Sequence, residues 1–220
     1  GFAASNVDLI MANATPALQA AVSATDSIPI LGTSVTEYGV ALDIDNFNGT
    51  VGGNISGTSD LAPLDQQADM LMELLPDAQT VGILYCSAEA NSVYQAQVVE
   101  ECLTAAGKTV NVYTFADSND VSSVTATACA ENDALYIPTD NTAASCTEAI
   151  NNVAEPAGVP IITGEEGICK GCGIATLSIS YYDLGYATGE MAVKILTGES
   201  DISEMPIEYY PNPVKKYNAD

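Results

Sequence analysis

Residues 133–145 read DALYIPTDNTAAS. A short apolar run breaks at Pro138, a polar and acidic turn follows, and a helix-forming stretch begins. The same grammar recurs in VDLIMANATPAL (7–18), TVGILYCSAEANSVYQ (80–95) and VPIITGEEG (159–167). Each Val/Ile/Leu-rich run ends at Asn, Thr, Ser, Asp or Glu before the chain turns helical. Such alternation marks a parallel α/β sheet, whose ligands sit at the carboxyl ends of the strands. The corners are therefore expected to face one crevice lined by acids, hydroxyls and amides. Neither His nor Arg can contribute, because the chain has none.

Working outward, strands are expected at 7–12, 28–31, 81–85, 109–114, 134–137, 159–163 and 174–180. Helices are expected at 16–24, 64–75, 92–106, 121–130, 142–154 and 182–196. Pro16 suits the first turn of its helix, and Thr197-Gly198 suits the stop of the last one. On the 64–75 helix, Leu64, Ala68, Leu71, Leu74 and Leu75 share one face. The stretch NFNGTVGGNISGTSD (46–60) is rich in Gly and Asn, which predicts a loop or crossover. The tail IEYYPNPVKKYN (207–218) reads as a short strand and then Pro-punctuated coil. Two lobes with chain crossovers fit this order better than one sheet. The first is expected to hold 1–55 with 172–203, the second 56–171 with 204–220.

Composition narrows the function classes. The chain has 220 residues, 47% hydrophobic and 15% charged, as in an ordinary globular protein. At this length roughly 70–75% of the unfolded surface is buried on folding. Twenty-nine acids face five lysines, a net charge of −24. Such a surface repels phosphate backbones and anionic lipid heads, which argues against a nucleic-acid partner. No apolar stretch approaches the ~20 residues that span a bilayer. No signal peptide opens the chain, yet it begins abruptly on GFAASNVDLI, as if a helix were ending into a strand, so an upstream segment stays open.

An enzyme is not expected. Without His there is no ready acid or base near neutral pH. There is no G-x-S-x-G elbow, no G-x-x-x-x-G-K-[ST] and no G-x-G-x-x-G, and the acids are scattered over separate corners. No cofactor and no metal are expected. Among the cysteines only Cys169 and Cys172 form a motif, CKGC. A lone C-x-x-C leaves three readings open: structural thiols or a local disulfide, a redox pair, or a metal site that would want four ligands. Cys102, Cys129 and Cys146 lie in helical stretches and read as packed small hydrophobes.

Groups suited to binding are present instead. Thr15-Pro16 starts a helix straight after a strand, so free N–H groups there suit a carboxylate. Thr36 and Ser87 offer further donors. Asp140, Glu89 and Glu165 stand at strand ends and suit an ammonium group. All of these also suit plain helix capping or solvation. Acceptors on one side and helix N-termini on the other would hold a zwitterion such as an amino acid.

These corners, in this order, resemble the ABC-transporter substrate-binding proteins of the tryptophan/tyrosine type, within the type I periplasmic-binding-protein superfamily. The matching pieces are DLIMANATPALQAA (8–21), IPILGTSVTEYGVA (28–41), GGNISGTSD (52–60), LLPDAQTVGILYCSAEANS (74–92), LYIPTDNT (135–142), VPIITGEEG (159–167) and YYDLGYATGEMAVKILTGE (181–199). The resemblance implies two Rossmann-like lobes joined by three crossovers. It also implies an extracytoplasmic receptor, a lipoprotein or periplasmic, that hands an amino acid, aromatic or otherwise apolar, to a membrane permease. A ligand-sensing domain of a receptor or regulator is the alternative use of that fold. Carried over position by position, the first lobe brings Asn13, Ala14, Thr15, Thr36 and Glu37 to the pocket. The second brings Ser87, Glu89, Asn91, Ser92, Asp140, Asn141 and Glu165, and Tyr181 and Tyr182 open the returning helix. Members of this family carry a strand and helix before the DLI segment that this chain lacks, so the first lobe is expected to be incomplete, or another segment supplies that strand.

Overall fold

The computed structural model describes residues 1–210 and 212–219. In chain order the elements are β1 (Ile10–Asn13), α1 (Thr15–Ala24), β2 (Ile30–Val35), α2 (Tyr38–Leu42), β3 (Ile55–Ser59), α3 (Leu64–Leu74), β4 (Thr80–Cys86), α4 (Ala90–Ala105), β5 (Thr109–Phe115) and α5 (Val121–Glu131). There follow β6 (Ala134–Ile137), α6 (Asn141–Ser145), α7 (Thr147–Ala157), β7 (Ile161–Thr163), α8 (Glu166–Cys172), β8 (Ala175–Ser178), α9 (Tyr181–Leu196), β9 (Glu208–Tyr209) and β10 (Val214–Tyr217). The chain divides into two compact units, Gly1–Leu61 with Ser180–Asn212 and Ala62–Ile179 with Pro213–Asp220.

The first unit is a four-stranded parallel sheet in the order β1-β2-β3-β9. Successive residues of a strand point to opposite faces, and β2 divides its side chains accordingly. Ile30 packs with Ile10, Leu18 and Tyr38 under α1 and α2. Leu31 packs with Met191, Ile202 and Met205, on the side covered by α9. Three buried threonines tie α9 to the sheet: Thr188 lies 2.8 Å from Thr58 and 3.0 Å from Thr33, hydroxyl to hydroxyl.

The second unit is a six-stranded sheet in the order β10-β8-β7-β6-β4-β5, parallel except for β10, which pairs antiparallel with β8. Its core joins Leu84, Leu135, Ile137 and Ile161 of the strands to Val121, Ala128, Ile150 and Ile168 of α5, α7 and α8. Buried Gln67 of α3 spans the strands from the other side. Its Nε2 donates to the carbonyls of Gly164 and Leu177 at 3.1 and 2.7 Å, and its Oε1 accepts from Tyr136 at 2.5 Å.

Both units are the parallel α/β architecture that the strand–turn–helix corners predict, and several local expectations need correction. The Gly-rich stretch 46–60 is not all loop: it ends in β3, whose five residues are all buried. Gly57 is why. It has φ +151°, and a Cβ there would lie 2.2 Å from the Gly32 carbonyl oxygen and 2.3 Å from the Tyr38 hydroxyl. Glycine marks close packing there, not a turn. The expected 142–154 helix is two helices, broken at Cys146, and the second runs to Pro156 and Ala157 before Gly158 stops it at φ +69°. The segment after GEE, to which the sequence reading assigns no helix, forms α8, which carries both CKGC cysteines. Leu74 is exposed, unlike its expected stripe partners Leu64, Ala68 and Leu71. Of the tail, 214–217 is strand and not coil, and Pro211 lies outside the described residues.

The divisions fall at 61/62, 179/180 and 212/213, where 55/56, 171/172 and 203/204 are expected from the sequence. Hydrogen bonding explains the shifts: β3 runs on to Ser59 beside β2, β8 pairs with β7, and β9 pairs with β3.

Candidate functional site

In the second sheet, β4 has β5 on one side and β6 on the other, so chain order reverses between β4 and β6. A parallel sheet opens a crevice beyond the strand ends at such a reversal. The sequence places Ser87, Glu89, Asn91 and Ser92 after β4, and Asp140 and Asn141 after β6.

The structure brings Glu89, Asn91, Ser92 and Asp140 into one buried polar cluster, with exposed Asn141 bonded at its edge. Asp140, 1% exposed, caps α6 by accepting from the Ala143 amide at 2.7 Å, and its other oxygen accepts from the Cys86 amide at 2.8 Å. Glu89, 6% exposed, accepts from the amide and side chain of Asn141 at 3.0 and 2.7 Å, and from the amide and hydroxyl of Thr142 at 2.9 and 2.8 Å. Two carboxylates thus hold the ends of β4 and β6 together. Their protonation is pushed in opposite directions. Burial alone would raise Glu89, yet the four bonds from Asn141 and Thr142 hold it below the ordinary glutamate value. Asp140 is raised by burial and then by the Glu89 charge, against hydrogen bonds from Ala143, Cys86 and Ser92.

Asn91 and Gln95 complete the cluster. Gln95 clamps Thr139, donating to its carbonyl and accepting from its amide, both at 3.0 Å. Asn91 Nδ2 donates to the same carbonyl at 3.1 Å. Thr139, Thr142 and Gln95 are not among the residues expected from sequence, although Gln95 stands one helical turn after Asn91. Ser87 is exposed and turned back on Phe115, whose carbonyl accepts from its amide at 3.0 Å and its hydroxyl at 3.4 Å. Glu165 is removed from this cluster in its bonding. It caps α8 through the Gly167 and Ile168 amides, and burial raises it.

In the first unit the expected residues also stand at strand ends. Asn13 closes β1 and is exposed, whereas Thr15 is buried at the start of α1. Between them Ala14 is held at φ +78°, its amide donating to the Thr33 carbonyl at 2.9 Å. A non-glycine residue at positive φ is uncommon, and here it turns the strand sharply into the helix. Thr36 is buried, with its carbonyl accepting from Ser59 at 2.7 Å. Glu37 caps α2 through the Val40 amide at 2.5 Å. Tyr181 donates to Asp60 at 3.0 Å, while Tyr182 is 82% exposed. Asp60, buried after β3, is a strand-end acid that sequence reasoning does not single out, because β3 is hidden in a glycine-rich stretch.

The remaining motif is quiet. Cys169 and Cys172 are free, buried thiols; burial pushes Cys169 up and, with the Cys169 and Glu165 charges, Cys172 up to about 12. Raised thiols do not attack or ligate readily. Among the described residues no group of three or more His, Cys, Asp or Glu is placed to hold a metal ion.

A family model described as ABC transporter substrate binding protein matches residues 1–213. The chain belongs to that family. A curated relative, a tyrosine-binding protein of Clostridioides difficile strain R20291, is 34% identical over 209 residues, 94% of this chain. The chain spans 59% of that relative's length. Among solved structures, an ABC domain in complex with L-Trp from Streptococcus pneumoniae matches 98% of this chain and 72% of its own, at 30% identity and a TM-score of 0.92. The ligand-free, open structure of a substrate binding protein with adhesive properties from Clostridium difficile matches 99% of this chain and 73% of its own, at 36% identity and a TM-score of 0.72. The type I periplasmic-binding-protein fold follows from these likenesses. The family is one of binding proteins and not of enzymes.

Proposed function

We propose that this chain is the extracytoplasmic solute-binding component of an ABC importer, and that its ligand is an aromatic amino acid, tyrosine or tryptophan. The carrying observation is the family match over residues 1–213, joined to a tyrosine-binding relative and an L-Trp-bound structural neighbour. The ligand contacts come from the strand ends: Asn13, Ala14, Thr15, Thr36, Glu37, Tyr181 and Tyr182 of the first unit, and Ser87, Glu89, Asn91, Ser92, Asp140, Asn141 and Glu165 of the second. A zwitterion suits that set, since helix N-termini attract a carboxylate and strand-end acids attract an ammonium group. Delivery to a membrane permease and anchoring as a lipoprotein or residence in a periplasm belong to the same proposal. No helix among the described residues is long and apolar enough to cross a membrane. Calorimetric titration with L-Tyr, L-Trp, L-Phe and L-Leu beside D-glucose and D-galactose tests the reading. Saturable heat with Tyr or Trp supports it; heat with a sugar and none with any amino acid overturns it.

A further inference from the structure

We infer that Asn91 Oδ1 is the acceptor for the ammonium group of the bound amino acid, an assignment that rests on the proposed function and adds to it a named atom and a ligand requirement. Asn91 sits in the first turn of α4, a 16-residue helix, and is 4% exposed. Its Nδ2 faces three oxygens: the Thr139 carbonyl at 3.1 Å, the Ser92 hydroxyl at 3.3 Å and Glu89 at 3.4 Å. Turning the amide over would set Oδ1 against that carbonyl and that carboxylate, so the orientation is fixed. Oδ1 is buried without a hydrogen-bond partner. A buried amide oxygen left without a donor is rare in folded proteins. It marks the place of a donor that belongs to something other than this chain.

The surroundings say which donor. Glu89 and Asp140 put two buried carboxylates beside Asn91, and among the described residues no lysine bonds to any of the three. Lys108 donates to the Pro76 and Ala78 carbonyls, and Lys216 pairs with Glu166. The cluster therefore holds buried negative charge with no cation of its own. A positively charged N–H donor fits that field; a carboxylate is repelled by it, and a neutral hydroxyl would leave the charge uncompensated. The cluster also lies at the β4/β6 reversal, where a parallel sheet receives its ligand.

The test compares L-tyrosine and L-tryptophan with 3-(4-hydroxyphenyl)propionate and indole-3-propionate, which keep ring and carboxylate and lack the amine. Titrations use the 220-residue chain and its Asn91→Ala variant, with circular dichroism to check the variant's folding. The expected result is binding of the amino acids at least about tenfold tighter than of their des-amino analogues. In Asn91→Ala that preference should collapse toward unity. Equal affinity of the wild-type chain for both compound types overturns the assignment and leaves the proposed function standing. Full retention of the preference in folded Asn91→Ala does the same. Binding of neither class overturns the proposed function and this assignment together. Should Asn91→Ala fail to fold, the wild-type comparison alone decides.

Discussion

Glu89 and Asn141 are joined by two hydrogen bonds, 3.0 Å from the Asn141 amide and 2.7 Å from its side chain, although 52 residues separate them. With Thr142 donating twice more, one carboxylate ties the turn after β4 to the start of α6. Replacing it by glutamine turns an NH2 group toward these donors. Glu89→Gln is expected to lose about 1–3 kcal/mol of stability at pH 7 in urea unfolding. The loss should depend on pH. A lowered native value means that Glu89 stabilises the fold above the ordinary glutamate value and loses this effect as pH falls through the lower native one. The gap between wild type and Glu89→Gln should therefore narrow in acid. A gap that is constant, or that widens, contradicts the geometry.

Asp140 carries the opposite sign. Its raised native value makes its contribution largest below the ordinary aspartate value and smaller as pH rises through the native one. Even so, it caps α6 and satisfies the Cys86 amide. Asp140→Ala removes both and is expected to cost about 2–4 kcal/mol. Asp140→Asn keeps a good cap and should cost less. Equal losses for the two variants, measured by urea unfolding, would place its value elsewhere than in hydrogen bonding.

Much of this corner is legible in the sequence. IPTDN ends a strand and opens a helix, and CSAEANS does the same, so residue order alone puts Glu89, Asn91 and Asp140 at strand ends. Their mutual bonding is not legible, because strand order within a sheet is not written in periodicity. The first unit is harder to read. β3 hides in ISGTS, where Gly57 is needed so that Tyr38 and Gly32 can approach, and glycine in a sequence more often signals a turn. Asp60 is concealed with it. α8 hides for a related reason: its two glycines conceal a helix that Glu165 caps from outside.

Gly57 supplies a further check. Any side chain at this position meets both the strain of φ +151° and the backbone of Gly32. Gly57→Ala is expected to destabilise by about 3 kcal/mol or more, read as a large fall in melting temperature. A variant that melts with the wild type would refute the packing described for β2, β3 and Tyr38.

The net charge of −24 predicts a strong salt effect. Like charges at the surface repel one another, and the Debye length falls from about 30 Å at 0.01 M to about 3 Å at 1 M. Across that range of NaCl the melting temperature should rise by at least about 3 °C, roughly 1 kcal/mol for a chain of this size. A flat or falling curve would mean that repulsion does not limit stability.

The most direct test of the central claim is native mass spectrometry of the purified chain in an equimolar mixture of the common amino acids and D-glucose. The account predicts one adduct per chain, of tyrosine or tryptophan mass. A glucose adduct, or a chain that stays bare in the presence of every amino acid, would contradict it.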